Sequence, residues 1–125
     1  MNGSPFLVLD TNVVLYHLGN RLQNPLEKKR YAISIITEIE LLSYSKIQAD
    51  EIKSIQDFIA QTTVIELRDS IKKETVALRK KYRLKVPDAI IAATALRVKS
   101  PLLTNDKKLL SISEIETRSV PLISN

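Results

Sequence analysis

The segment from Ala89 to Val98 constrains the fold of this chain most tightly, because it is apolar on nearly every side and rich in alanine. A helix with no wet face has to be enclosed, and one built of small side chains can lie close against a sheet and its neighbours. Pro87-Asp88 opens the segment, so the helix should begin there.

The material to enclose it is spread along the chain. Phe6-Leu7-Val8-Leu9 is a continuous apolar run, the form of a strand buried on both faces of a parallel sheet. Asp10-Thr11-Asn12 stops it, and Val13, Val14, Leu15 and Leu18 suit a short helix. Gly19 to Arg30 is a polar loop with Asn24-Pro25 and the basic run Lys28-Lys29-Arg30. Tyr31-Ala32-Ile33 reads as a second strand and Ser34 to Tyr44 as a helix with Ile35, Ile36, Ile39 and Leu42 on one face. Gln48 to Gln61 is an amphipathic helix with Asp50 and Glu51 in its first turn. Thr63 to Leu67 is a third strand, and Asp69 is placed to cap a helix carrying Ile71, Thr75, Leu78 and Tyr82 on its dry side. Leu102-Leu103-Thr104 is a fourth strand, Lys107 to Leu110 a helical turn, and Ser119 to Ile123 a last strand, at an edge because of Pro121.

Strands alternating with helices predict a three-layer α/β/α domain with a mainly parallel central sheet of four to five strands. At 125 residues the chain has room for one core, so residues 1–125 are expected to form a single domain. No apolar run approaches the about 18–20 residues that cross a bilayer, and Met1 to Pro5 does not start a signal peptide, so the expected compartment is the cytoplasm.

Composition narrows the chemistry. No cysteine and one histidine remove thiolate zinc sites, Cys nucleophiles and His-rich metal sites, and two glycines cannot build a phosphate-cradling loop. Oxygen ligands remain. In a parallel sheet, ligands bind beyond the carboxyl ends of the strands, where strand order reverses. Asp10 follows the first strand directly, Asp106 follows the fourth, Asp88 starts the buried helix and Glu40 lies in the helix after the second strand. Each Asp alone would serve as a helix cap. Together they would repel one another unless a hard cation such as Mg²⁺ or Mn²⁺ joined them. The formal charge is +5, and once those four acids are set apart the remaining residues carry +9, a distribution suited to a phosphodiester polymer.

With these residues in view the chain resembles the PIN-domain ribonucleases, and among them the VapC-type toxins of prokaryotic toxin–antitoxin pairs. The resemblance rests on Leu7-Val8-Leu9-Asp10-Thr11-Asn12, Ile33 to Leu41, Val86-Pro87-Asp88 through Ala95, and Leu102-Leu103-Thr104-Asn105-Asp106, in family order and spacing. It implies an acidic quartet of Asp10, Glu40, Asp88 and Asp106 acting as catalytic and metal-binding residues, with Mg²⁺ or Mn²⁺ as cofactor. It also implies endonucleolytic cleavage of RNA, an antitoxin that binds across the site, and a homodimer. Glu38 lies about 200° from Glu40 around a helix and should point away. Thr11, Asn12, Thr104 and Asn105 stand beside the acids and would orient ligands or waters.

Arg79, Lys80, Lys81, Arg83 and Lys85 put five cations just ahead of Asp88 and are candidates for RNA contact; Lys28-Lys29-Arg30 and Lys107-Lys108 are weaker ones. His17 reads as a packing or surface residue. Ile47, Ile52 and Leu41-Leu42 could form a partner contact or simply core. The competing readings are a catalytically silent PIN-like binding module and a housekeeping RNA-processing nuclease. A phosphotransfer domain fits poorly, since Asn12 stands where a phosphatase would need a second Asp.

Overall fold

The computed structural model describes residues 6–44 and 48–124. Ile47 and Met1 to Pro5 therefore lie outside the described residues.

Five short strands form one parallel sheet in the order β3-β2-β1-β4-β5: β1 (Leu7–Leu9), β2 (Tyr31–Ser34), β3 (Thr63–Ile65), β4 (Leu102–Leu103) and β5 (Thr117–Arg118). Successive side chains on a strand face opposite ways, so each strand contributes to two cores. Val8, Ala32 and Leu102 pack into one cluster, whereas Leu9, Ile33 and Leu103 pack into the other. The first is covered by α4 (Asp69–Tyr82), α5 (Val86–Arg97) and α6 (Lys107–Leu110), the second by α1 (Thr11–Leu18), α2 (Ile35–Leu42) and α3 (Ala49–Ala60).

The apolar segment behaves as its composition requires. Every residue of α5 from Ala89 to Ala95 is buried, with Pro87 in the first turn. α4 lies alongside as the other arm of a helical hairpin, turned by Arg83 in the left-handed region at φ 57°. Arg79 steadies that turn by donating from Nε to the Leu84 carbonyl at 3.0 Å.

Two local expectations are corrected. Arg68 rather than Asp69 takes the cap position of α4, and Asp69 is its first residue. The last strand is Thr117–Arg118 rather than Ser119 to Ile123. The Val120 N–H is taken by Asn105 Oδ1 at 2.7 Å, Pro121 has no N–H to give, and the tail beyond lies antiparallel to residues 21–23 through a Leu22–Leu122 bridge. Among the described residues no helix is long and apolar enough to cross a membrane.

Candidate active site

β1 has β2 on one side and β4 on the other, so Asp10 and the Thr104-Asn105-Asp106 segment leave the sheet at one edge, where the crossovers part and open a crevice. Asp10 occupies the cap position of α1, but its carboxylate makes no cap hydrogen bond. Instead Oδ2 accepts from the Thr104 hydroxyl at 2.7 Å, and that hydroxyl oxygen accepts the Asp106 N–H at 3.0 Å. The residue is only 6% exposed. Burial pushes its pKa above the ordinary carboxylate value; the Thr104 bond opposes this, and the charges of Asp88 and Asp106 add to it.

Glu40 reaches the same edge from α2. Its Oε1 accepts from the Thr11 hydroxyl at 2.6 Å, and the Thr11 oxygen lies 3.0 Å from the hydroxyl of the fully buried Thr37. One hydroxyl has one proton, so Thr37 donates to Thr11 whenever Thr11 donates to Glu40. Asp88, the third residue of α5, has its pKa raised by burial, then by the charges of Asp106 and Glu40, with Lys85 and Lys108 offsetting part of the effect. Asp106 is the one aspartate of the three that caps through its side chain, Oδ1 accepting from the N–H groups of Lys108 at 2.8 Å and Leu109 at 3.2 Å. It shares a cleft of about 380 Å³ with Asp88, Lys85, Lys107 and Lys108.

Asp88 and Asp106 thus share the cleft, and charge repulsion links Asp10 to both of them and Glu40 to Asp88. Among the described residues no group of three or more acidic or histidine side chains is gathered closely enough to hold a metal ion as it stands. The donor set still fits a hard divalent cation, being carboxylates backed by hydroxyls. Positive charge among them would relieve the repulsion felt at Asp10 and Asp88.

The model of the PIN domain matches residues 7–115. This chain belongs to the PIN-domain family. Similar solved structures include a toxin–antitoxin complex from Klebsiella pneumoniae, with 28% identity, a TM-score of 0.74, and coverage of 87% of this chain and 94% of that one. DNA-bound VapBC from Salmonella typhimurium gives a TM-score of 0.78 at 20% identity, covering 90% of this chain and 96% of that one. VapBC2 from Rickettsia felis, bound to a promoter DNA fragment, gives 0.77 at 20% identity, with 92% and 98% covered. No curated protein matches the sequence significantly.

The residues around the acids of this PIN domain divide into those that face the crevice and those held elsewhere. Thr11 and Thr104 bond the acids directly. Asn12 is exposed on α1. Asn105 turns away, its amide donating to the Val120 carbonyl and accepting the Val120 N–H, so it splices β4's end to the carboxyl-terminal tail. Glu38 makes none of the contacts described for Glu40. Of the five clustered cations, Lys85 borders the crevice, whereas Arg79 is committed to the Leu84 carbonyl and Lys81 pairs with Glu114 at 3.0 Å. Tyr82 also donates to Glu114, and these contacts hold the Glu114 carboxyl down at about 2. Lys80 and Arg83 are exposed on α4 and at its end. His17 is half-buried against Phe58, ring centroids 5.7 Å apart, and burial lowers its pKa. Thr37 joins these through its bond to Thr11, and its place three residues before Glu40 on one helix face was the available signal.

Proposed function

We propose that this PIN domain is a divalent-metal-dependent endoribonuclease and the toxin of a toxin–antitoxin pair. The observation that supports the proposal is the cleft that Asp88 and Asp106 share with Lys85, Lys107 and Lys108, with Asp10 repelled by both acids and Glu40 by Asp88. The four carboxylates would hold Mg²⁺ or Mn²⁺, which when bound supplies an acidified water and polarisation of the phosphodiester. Thr104 and Thr11 keep Asp10 and Glu40 turned into the crevice by donating to them, and Thr37 in turn orients Thr11. Lys85, Lys107 and Lys108 meet the phosphates of the strand and keep a polyanion beside an acidic site that would otherwise repel it.

The toxin assignment draws on the complexes similar to this chain, which support an antitoxin as partner. A docking face for a partner, whether antitoxin or a second copy, is offered by Ile39, Leu42, Tyr44 and Ile52, all more than two-fifths exposed along α2 and α3. Leu41, considered beside Leu42 in the sequence, is core.

The test is RNA cleavage by purified protein with Mg²⁺ or Mn²⁺, with EDTA, and in the Asp10→Asn and Asp88→Asn variants. Cleavage that needs the metal and drops at least about a hundredfold in each variant supports the reading, since a positioned electrostatic group contributes on that order. Cleavage in EDTA, or full activity in both variants, overturns it. Growth arrest on expression, relieved by the same changes, separates a toxin from a housekeeping nuclease.

A further inference from the structure

At the opposite edge of the sheet, beyond the amino ends of the strands, a cleft of about 540 Å³ has no part in the site above. It lies where α1 and α3 both end, against the start of β2 and the loop before it. That volume is in the range of small-ligand sites. One wall is aromatic and largely apolar: the His17 and Phe58 rings, their planes tilted at 53° to one another, with Leu26 and Tyr31 beside them. The rim is three consecutive cations, Lys28, Lys29 and Arg30, all exposed.

The rim is not neutralised locally. The single acid lining the cleft is Glu27, which pairs with Lys29 at 3.9 Å while both are exposed, a contact easily given up to a stronger anion. Arg30 is set in place by its guanidinium lying 4.9 Å over the Phe6 ring. A ring face next to a line of cations matches the chemistry of a nucleotide in a single strand, a base with a π-face joined to a phosphate. An acidic peptide would satisfy the cations and leave the ring wall unused.

We propose that this cleft binds a nucleotide of the RNA strand away from the bond being cut, its base against the His17–Phe58 pair and its phosphates along Lys28, Lys29 and Arg30. The proposal rests on RNA being the polymer the protein acts on. β2 spans only about 13 Å, so one strand passing over the molecule can occupy both poles. The cleft would then select substrates with unpaired nucleotides at a fixed distance from the cleavage point.

The experiment uses the full chain carrying Asp10→Asn, which leaves the RNA intact, and a labelled single-stranded RNA of about 12 nucleotides, followed by fluorescence anisotropy over a range of salt. Lys28→Ser/Lys29→Ser/Arg30→Ser is expected to weaken binding about tenfold or more and to reduce the log–log salt slope by about 2. Phe58→Leu keeps apolar volume but loses the flat face, and is expected to weaken binding about tenfold with the slope unchanged. An abasic strand of equal length should bind the unaltered cleft as poorly as RNA binds the Phe58 variant. Circular dichroism and thermal unfolding check that each variant is folded; should Phe58→Leu fail to fold, the abasic strand still reads the stacking. An unchanged affinity and slope in the triple variant overturns the proposal, and so does an abasic strand that binds as well as RNA, or an acidic peptide of equal charge that displaces RNA at equal concentration. If RNA is bound and cut while these changes are silent, only this cleft's role fails. If the protein neither binds nor cuts RNA, the nuclease reading fails with it.

Discussion

Asp10 and Asp88 hold carboxyls whose pKa lies above the ordinary value, through burial first and facing carboxylates second. A raised folded-state pKa means the folded chain keeps a proton that the unfolded chain has released, so these groups subtract stability as pH rises through the window above about 4 and continue to do so at neutral pH. Asp88→Asn is therefore expected to raise the melting temperature at pH 7, and to raise it less near pH 4, where the folded chain still holds the proton. Calorimetry at the two pH values measures it. Thr104 works in the other direction, its hydroxyl favouring the charged form of Asp10. Thr104→Val should push that carboxyl further up, lowering cleavage more at acid than at alkaline pH, while Thr104→Ser stays near normal; a pH–rate profile separates these outcomes. The three aspartates stood out in the sequence because each follows a strand or opens a helix, a signal that Glu40, inside α2, does not give. The hydroxyl relay from Thr37 was not legible, since a threonine at a helix start is read first as capping and its partner on α1 lies 26 residues away.

Among the elements, α5 shows most plainly how composition sets packing. Ala92 and Ala93 are fully buried in an interior helix lying close to α4 and the sheet. Ala92→Leu is expected to cost about 1–3 kcal/mol by overpacking, seen as a lower urea midpoint with an unchanged slope. Its enclosure was readable because an all-apolar helix has nowhere else to go. The cations ahead of it were less readable. Five in seven residues look like one basic patch, yet α4 ends at Tyr82: Arg79 and Lys81 on it turn to structural partners, whereas Lys85 stands beyond the turn at the cap of α5 and borders the crevice. The last strand was misplaced for a similar reason. Val120 and Ile123 have strand-like side chains, but the N–H that would have joined the ladder is claimed by Asn105.

Over the whole molecule, strand order is what local pattern cannot supply, because periodicity says which segments are strands and nothing about which of them pair. Asp10 and Asp106 come near one another only if the first and fourth strands are neighbours, and the sheet has them so, with β1 at its centre. The charge is also divided by the sheet, cations bordering both the acidic crevice and the cleft at the other edge. RNA binding should therefore weaken steeply with salt, and Lys85→Ser/Lys107→Ser/Lys108→Ser should lower the log–log slope by about 2, measured by the same anisotropy titration. The pairing of β1 with β4 has a further consequence in time. Thr104 closes on Asp10 across 94 residues, so a chain still being synthesised carries its first acid long before the strand that completes the crevice has left the ribosome. If the proposed function holds, the chain gains its full set of acids only after Asp106 has emerged, whatever the state of the first strand by then.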